Sequence, residues 1–160
     1  MKFILDGMLG SLARWLRMMG HDTKYTNSAK DAELLAEAKN EGRVLLTRDF
    51  ALYQQAVSKN IEAYYVESNT QPERLSEVAT RFGLRIQIDL ELSRCPKCNT
   101  KIVSVQKSEI ASEVEKNTLV NYDTFWKCSS CGAVYWQGAH WTKIRETLEK
   151  ACQKLKEDRI

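Results

Sequence analysis

Two short cysteine motifs restrict this chain more than any other feature: "CPKC" at Cys95 to Cys98 and "CSSC" at Cys128 to Cys131, with 29 residues between them. Each matches a thiolate knuckle, and two facing knuckles close a tetrahedral four-cysteine site of the zinc-ribbon type. The spacing therefore predicts structural Zn²⁺ on Cys95, Cys98, Cys128 and Cys131, with an iron centre or a redox pair as the alternatives. Cysteines used in this way belong to a reducing compartment and not to a disulfide framework. No apolar run approaches the ~18 residues of a membrane span, and "FIL" before Asp6 is too short for a signal peptide. A soluble, cytoplasmic protein without a membrane partner is the expectation; the oligomeric state is left open.

The first knuckle also marks a boundary. Before it, strand and helix alternate: "KFILD", then a helix over residues 8–19 with Leu9, Leu12, Leu16 and Met19 at helical spacing and Gly20 as its stop. Ser28 and Asp31 form an S-x-x-D capping signal for a second helix carrying Leu34, Leu35 and Ala38. "RVLL" reads as the next strand, residues 50–59 as a helix and "IEAYYV" as a strand. Thr70, Pro72 and Glu73 open a further helix, and "LRIQI" alternates as a fourth strand. Such alternation predicts an α/β fold, a parallel sheet flanked by helices on both faces. Residues 1–92 are read as this domain, and residues 93–160 as a zinc ribbon with a C-terminal helix. That helix shows Trp141, Ile144, Leu148, Ala151 and Leu155 on one stripe, with Cys152 beside it.

The charge is split along the same line. Residues 1–92 hold 12 basic and 13 acidic side chains, and residues 93–160 hold 12 and 8. The rear excess is compatible with a polyanion, although four thiolates around one Zn²⁺ remove about half of it. Phe125, Trp126, Tyr135, Trp136 and Trp141 surround the second knuckle and serve either as the small ribbon's core or as base-stacking surfaces. His140 opens the last helix and reads as a cap or a nucleic-acid contact.

In a parallel sheet, ligands bind outside the carboxyl ends of the strands. Asp6 ends the first strand, and Asp49 lies just past the end of "RVLLT". Adjacent strands are ~4.8 Å apart, so two such carboxylates share a small space, and a hard cation such as Mg²⁺ or Mn²⁺ relieves their repulsion. Asp31, in the first turn of its helix, starts near the same edge. Three carboxylates around one or two hard ions can bind a phosphodiester and activate water. The plainer readings remain beside this one: Asp31 as the Ser28 cap partner, and Asp6 and Asp49 as turn formers. Arg14 and Arg17 stand opposite most leucines of the first helix, as phosphate contacts or a solvated face. Arg48 is either a phosphate ligand or a partner for Asp31, and Thr47 can orient Asp49 or a metal-bound water by its hydroxyl.

Taken together, "FILDGMLGSLARWLRMMGHDT", "DAELLAEA", "GRVLLTRD", "RCPKCN" and "CSSCGAVYWQGAHW" resemble the Mut-7 C-terminal RNase domain family, a PIN-like nuclease fold carrying a zinc ribbon. The resemblance covers roughly residues 1 to 150. It implies that Asp6, Asp31 and Asp49 take the places of the PIN-type metal-binding acids, with Arg14, Arg17, Thr47 and Arg48 at matching motif positions. It implies RNA as substrate, Mg²⁺ or Mn²⁺ as catalytic cofactor, and Gly138, His140 and Trp141 as the ribbon's ending. PIN nucleases often carry a fourth acid, for which this chain offers Glu67, Asp89 or, as a replacement, Asn69. The expectation is a metal-dependent ribonuclease. A non-catalytic RNA-binding or protein-interaction module is the alternative, and a small-phosphate-ester hydrolase ranks behind both.

Overall fold

Apolar tetrads make the centre of the main sheet. In a computed structural model describing all 160 residues, β1 (Lys2–Leu5) buries Phe3, Ile4 and Leu5, and β3 (Val44–Thr47) buries all four of its residues. Continuous burial of this kind requires cover on both faces. The sheet is fully parallel, in the order β2-β1-β3-β4, with β2 at Asp22–Tyr25 and β4 at Ala63–Tyr65. Phe3, Leu5, Val44 and Leu46 face one core together with α1 (Gly10–Met18) and α4 (Gln71–Phe82). Ile4 and Leu45 face a second core built by α2 (Asp31–Glu41) and α3 (Phe50–Ser58). The α/β reading therefore holds.

Two sequence expectations need correction, and an unread strand and the seat of the last helix add to them. No strand forms at residues 84–88, where the backbone is irregular. Leu84 and Ile86 still pack inward, so the alternation records one covered face without a hydrogen-bonding neighbour. The strand that completes the four is β2, "DTKY", at one edge of the sheet, of which only Thr23 is fully buried. Ser28 does not cap α2: its hydroxyl pairs with Thr26, while the Glu33 carboxylate accepts from the Lys30 N–H at 3.0 Å and the helix starts at Asp31. Finally, α7 (Trp141–Glu157), grouped with the ribbon in the sequence, packs on α4 and sends Ala151 and Leu155 into the first core.

The ribbon is a separate antiparallel sheet, β5 (Ile102–Val105), β6 (Phe125–Cys128) and β7 (Val134–Tyr135), with α5 (Lys107–Ile110) and α6 (Lys116–Asn121) in the β5–β6 connection. Phe125 and Trp126 are buried, which settles those two aromatics as core. No helix is long and apolar enough to cross a membrane.

Candidate active site and metal centre

Each knuckle turns on a residue in the left-handed region, Asn99 at φ 70° after Cys98 and Gly132 at φ 77° after Cys131. Backbone bonds brace both turns: Asn99 N–H to the Cys95 carbonyl at 2.8 Å, and Gly132 N–H to the Cys128 carbonyl at 3.0 Å. The four sulfurs lie within 4.8 Å of one another, with Cys95–Cys131 at 3.6 Å and Cys98–Cys128 at 3.4 Å. A tetrahedron of sulfurs with ~2.3 Å bonds to zinc has sulfur–sulfur edges of about 3.8 Å, so this donor set fits Zn²⁺. Hydrogen bonds from the backbone and hydroxyl of Thr100 bring the Cys98 thiol down to about 6, whereas burial pushes Cys128 up to about 11. Tyr135 donates its hydroxyl toward Cys95 Sγ at 3.0 Å, an oriented dipole beside the cluster.

Arg17 and Asn99 join the ribbon to the sheet. Arg17 is only 7% exposed. Its Nε donates to the Thr23 carbonyl at 2.8 Å and its Nη1 to the Pro96 carbonyl at 2.9 Å, so in place of a phosphate contact or a solvated face Arg17 is an internal strut. Asn99 accepts from the Thr23 N–H at 2.9 Å and donates to Asp22 at 2.8 Å. Burial raises the Asp22 carboxyl, but hydrogen bonds from Arg43 and Asn99 and the Arg43 charge outweigh it and hold the group at about 2. Both outward-facing backbone groups of Thr23 are thus satisfied from outside the sheet. The sequence reading missed Asn99 and Arg43. For Asn99 a signal existed in the Asn following the second cysteine of a knuckle, where a left-handed residue is needed.

The acidic site lies elsewhere, at the carboxyl edge. From β1 the chain turns into α1 on one face, and from β3 into α3 on the other, so the crossovers diverge between two neighbouring strands. Asp6 and Asp49 flank that divergence. Asp6 is 6% exposed, and its Oδ1 accepts from the Met8 N–H at 3.1 Å. Its Oδ2 accepts from the buried Thr47 hydroxyl, and the same hydroxyl accepts the Asp49 N–H at 2.9 Å. Asp49 is exposed, and its Oδ1 caps α3 through the Leu52 N–H at 3.1 Å. The structure thus links Asp6, Thr47 and Asp49 in one hydrogen-bonded run.

The other expected residues fall around this run unequally. Asp31 is exposed at the start of α2, and its carboxylate has no hydrogen bond or ion pair. The β2–α2 loop does approach the β1 end: Tyr25 donates to the Gly7 carbonyl at 3.0 Å, and a Cβ added at Gly7 would stand 3.5 Å from the Asn27 backbone. Arg14 is exposed on α1. Arg48 does not pair with Asp31; it donates to the Ser68 carbonyl and to Asn69 Oδ1 at 3.1 Å, tying the end of β3 to the β4–α4 loop. Glu67 sits exposed in that loop. Asp89 lies instead at the ribbon junction, where Ser93 donates to the carbonyls of both Asp89 and Met18. His140 is exposed at the start of α7 without a side-chain capping bond.

The cysteines form the one group of three or more metal-ligating side chains with donor atoms within 4.8 Å of each other. Asp6, Asp31 and Asp49 therefore do not make a closed three-carboxylate cage. A family model described as the Mut7-C RNAse domain matches residues 1–148. No curated protein and no solved structure matches the chain.

Proposed function

The chain belongs to the Mut7-C RNAse domain family, and from that membership we propose that it is a metal-dependent ribonuclease hydrolysing RNA phosphodiester bonds in the crevice between β1 and β3. The observation that supports this reading is the hydrogen-bonded run Asp6–Thr47–Asp49 at the point where the crossovers diverge. Asp6 and Asp49, with Asp31 from the neighbouring loop, are the residues to hold Mg²⁺ or Mn²⁺. The ion supplies charge neutralisation, polarisation of a phosphoryl oxygen and acidification of the attacking water. Thr47 and the Met8 N–H keep the Asp6 carboxylate in one orientation before substrate arrives. Asp49 Oδ2 and both Asp31 oxygens accept no protein donor, which leaves them for ligation. Arg14 steadies the phosphate, and Arg48 orders the loop bearing Glu67. The zinc ribbon acts as structural support, with His140 as its RNA contact, in the reducing setting of the cytoplasm.

One observation favours the second reading, a non-catalytic RNA-binding or protein-interaction module: the three carboxylates are spread and Asp49 already serves as a helix cap. Asp49→Asn separates the two, since Asn caps a helix as well as Asp and removes only the charge. We expect RNA cleavage with added Mn²⁺ to fall on the order of 10²-fold or more with the thermal midpoint unchanged. Trace cleavage left unchanged in both Asp49→Asn and Asp31→Asn would point to a contaminant and, with RNA binding retained, hand the protein to the module reading.

A further inference from the structure

Next to the acidic run stands an aromatic surface that neither core uses. Of the chain's four phenylalanines and four tryptophans, Phe50 alone is exposed, at 54%. It follows Asp49 directly and opens α3. Its ring meets Tyr65 edge-on with centroids 5.5 Å apart and Tyr53 at 5.9 Å, and Tyr53 and Tyr65 are 6.4 Å apart. None of the three packs into either core of the sheet. Tyr65 is the register partner of Thr47, the residue that joins Asp6 to Asp49, so its backbone stands one strand spacing, about 4.8 Å, from that of Thr47.

A phenylalanine half in water forgoes much of the transfer free energy that makes the residue useful in a core. Its neighbours give it edges to rest against and leave ring surface open. An open aromatic surface beside a phosphate site suits an unstacked nucleobase. It does not suit a duplex, whose bases present no free face. The trio is too small and too close to the acidic run to match a folded protein partner, whose footprint is typically ~800 Å² per side.

The geometry points to Phe50, Tyr53 and Tyr65 as a nucleobase-stacking subsite that takes the unstacked base adjoining the phosphate held at Asp6 and Asp49. The placement rests on reading the acidic run as the phosphate site; the stacking itself does not. Base–aromatic stacking is worth a roughly 5- to 150-fold change in affinity per base.

The test uses the full zinc-bound chain in buffer without Mg²⁺ or Mn²⁺, so that the strand stays intact. Affinity is read by anisotropy for a labelled single-stranded RNA, the same strand with abasic positions, and the matching duplex. Phe50→Ala should weaken binding of the single strand about tenfold, Phe50→Trp should restore it, and neither should alter the weaker binding of the abasic strand or the duplex. A 2-aminopurine reporter in the strand should be quenched by the parent and by Phe50→Trp, and not by Phe50→Ala. Equal single-strand affinity in the parent and Phe50→Ala overturns the subsite, as does a loss shared equally by the abasic strand, or no measurable binding by the parent. Loss of single-strand binding on Phe50→Ala combined with cleavage indifferent to Asp49→Asn upholds the subsite and rejects the nuclease reading alone.

Discussion

Twenty-two buried apolar residues in two clusters support the faces of the parallel sheet, whereas the ribbon's own cluster has four members and two of those are cysteines. The difference follows from size. A four-stranded sheet with helices on both faces can bury enough side chain to fold by exclusion of water, and a three-stranded ribbon cannot. One region is held by packing; the other has a four-cysteine cluster able to hold a metal and contacts with its neighbour.

The sharpest way to break that contrast is to remove the zinc. Apparent binding energies of structural Zn²⁺ are about 10–16 kcal/mol, which exceeds what the ribbon's small cluster can replace. A chelator, or Cys128→Ala, should therefore unfold β5 to β7 while the helical signal from α1 to α4 persists in circular dichroism. Simultaneous loss of both signals would show one cooperative unit. Next in size, Leu46→Ala in the first sheet core should cost about 2–5 kcal/mol in denaturant titration with zinc still bound. Zinc release in that variant under native conditions would contradict the division. Arg17→Met tests the joint itself. It leaves the Thr23 and Pro96 carbonyls without their donor, so we expect about 1–3 kcal/mol and faster exchange of the Thr23 amide, with the four-cysteine site intact.

The smallest effect concerns pH. His21 lies edge-on to Phe3 with centroids 5.9 Å apart, and burial, helped by the nearby N-terminal charge, lowers it to about 4. Between about 4 and its ordinary value of 6.5 the folded chain binds fewer protons there than the unfolded chain, so stability rises with pH across that window and is lost as pH falls through it. Discounted for its half-buried position, the contribution is about 1–2 kcal/mol. His21→Asn should flatten that part of the stability profile, and an unaltered slope would assign it to other groups.

How much of this was readable beforehand depended on which physical signal each residue carried. The cysteine spacing reported the ribbon directly, because metal geometry dictates sequence separation within a knuckle. Continuous apolar runs reported β1 and β3. By contrast β2 was illegible, since a strand with one buried residue has no pattern to show, and residues 84–88 misled because alternation reveals a covered face and not a hydrogen-bonded partner. At the acidic edge, strand ends placed Asp6 and Asp49, but the inward turn of Arg17 depended on where the first knuckle docks, a contact across 79 positions of chain. Phe50 was hidden for a related reason. An apolar side chain reads as interior until its surroundings are known.

The backbone of Thr23 on β2 has one further consequence. Its outward N–H and carbonyl are covered by Asn99 and Arg17, and Asn99 is positioned only while the first knuckle keeps its shape. Metal starvation would uncover a polar strand margin able to pair with the same margin of a second molecule. Metal-depleted preparations should therefore form oligomers rich in intermolecular β structure before the parallel sheet itself melts.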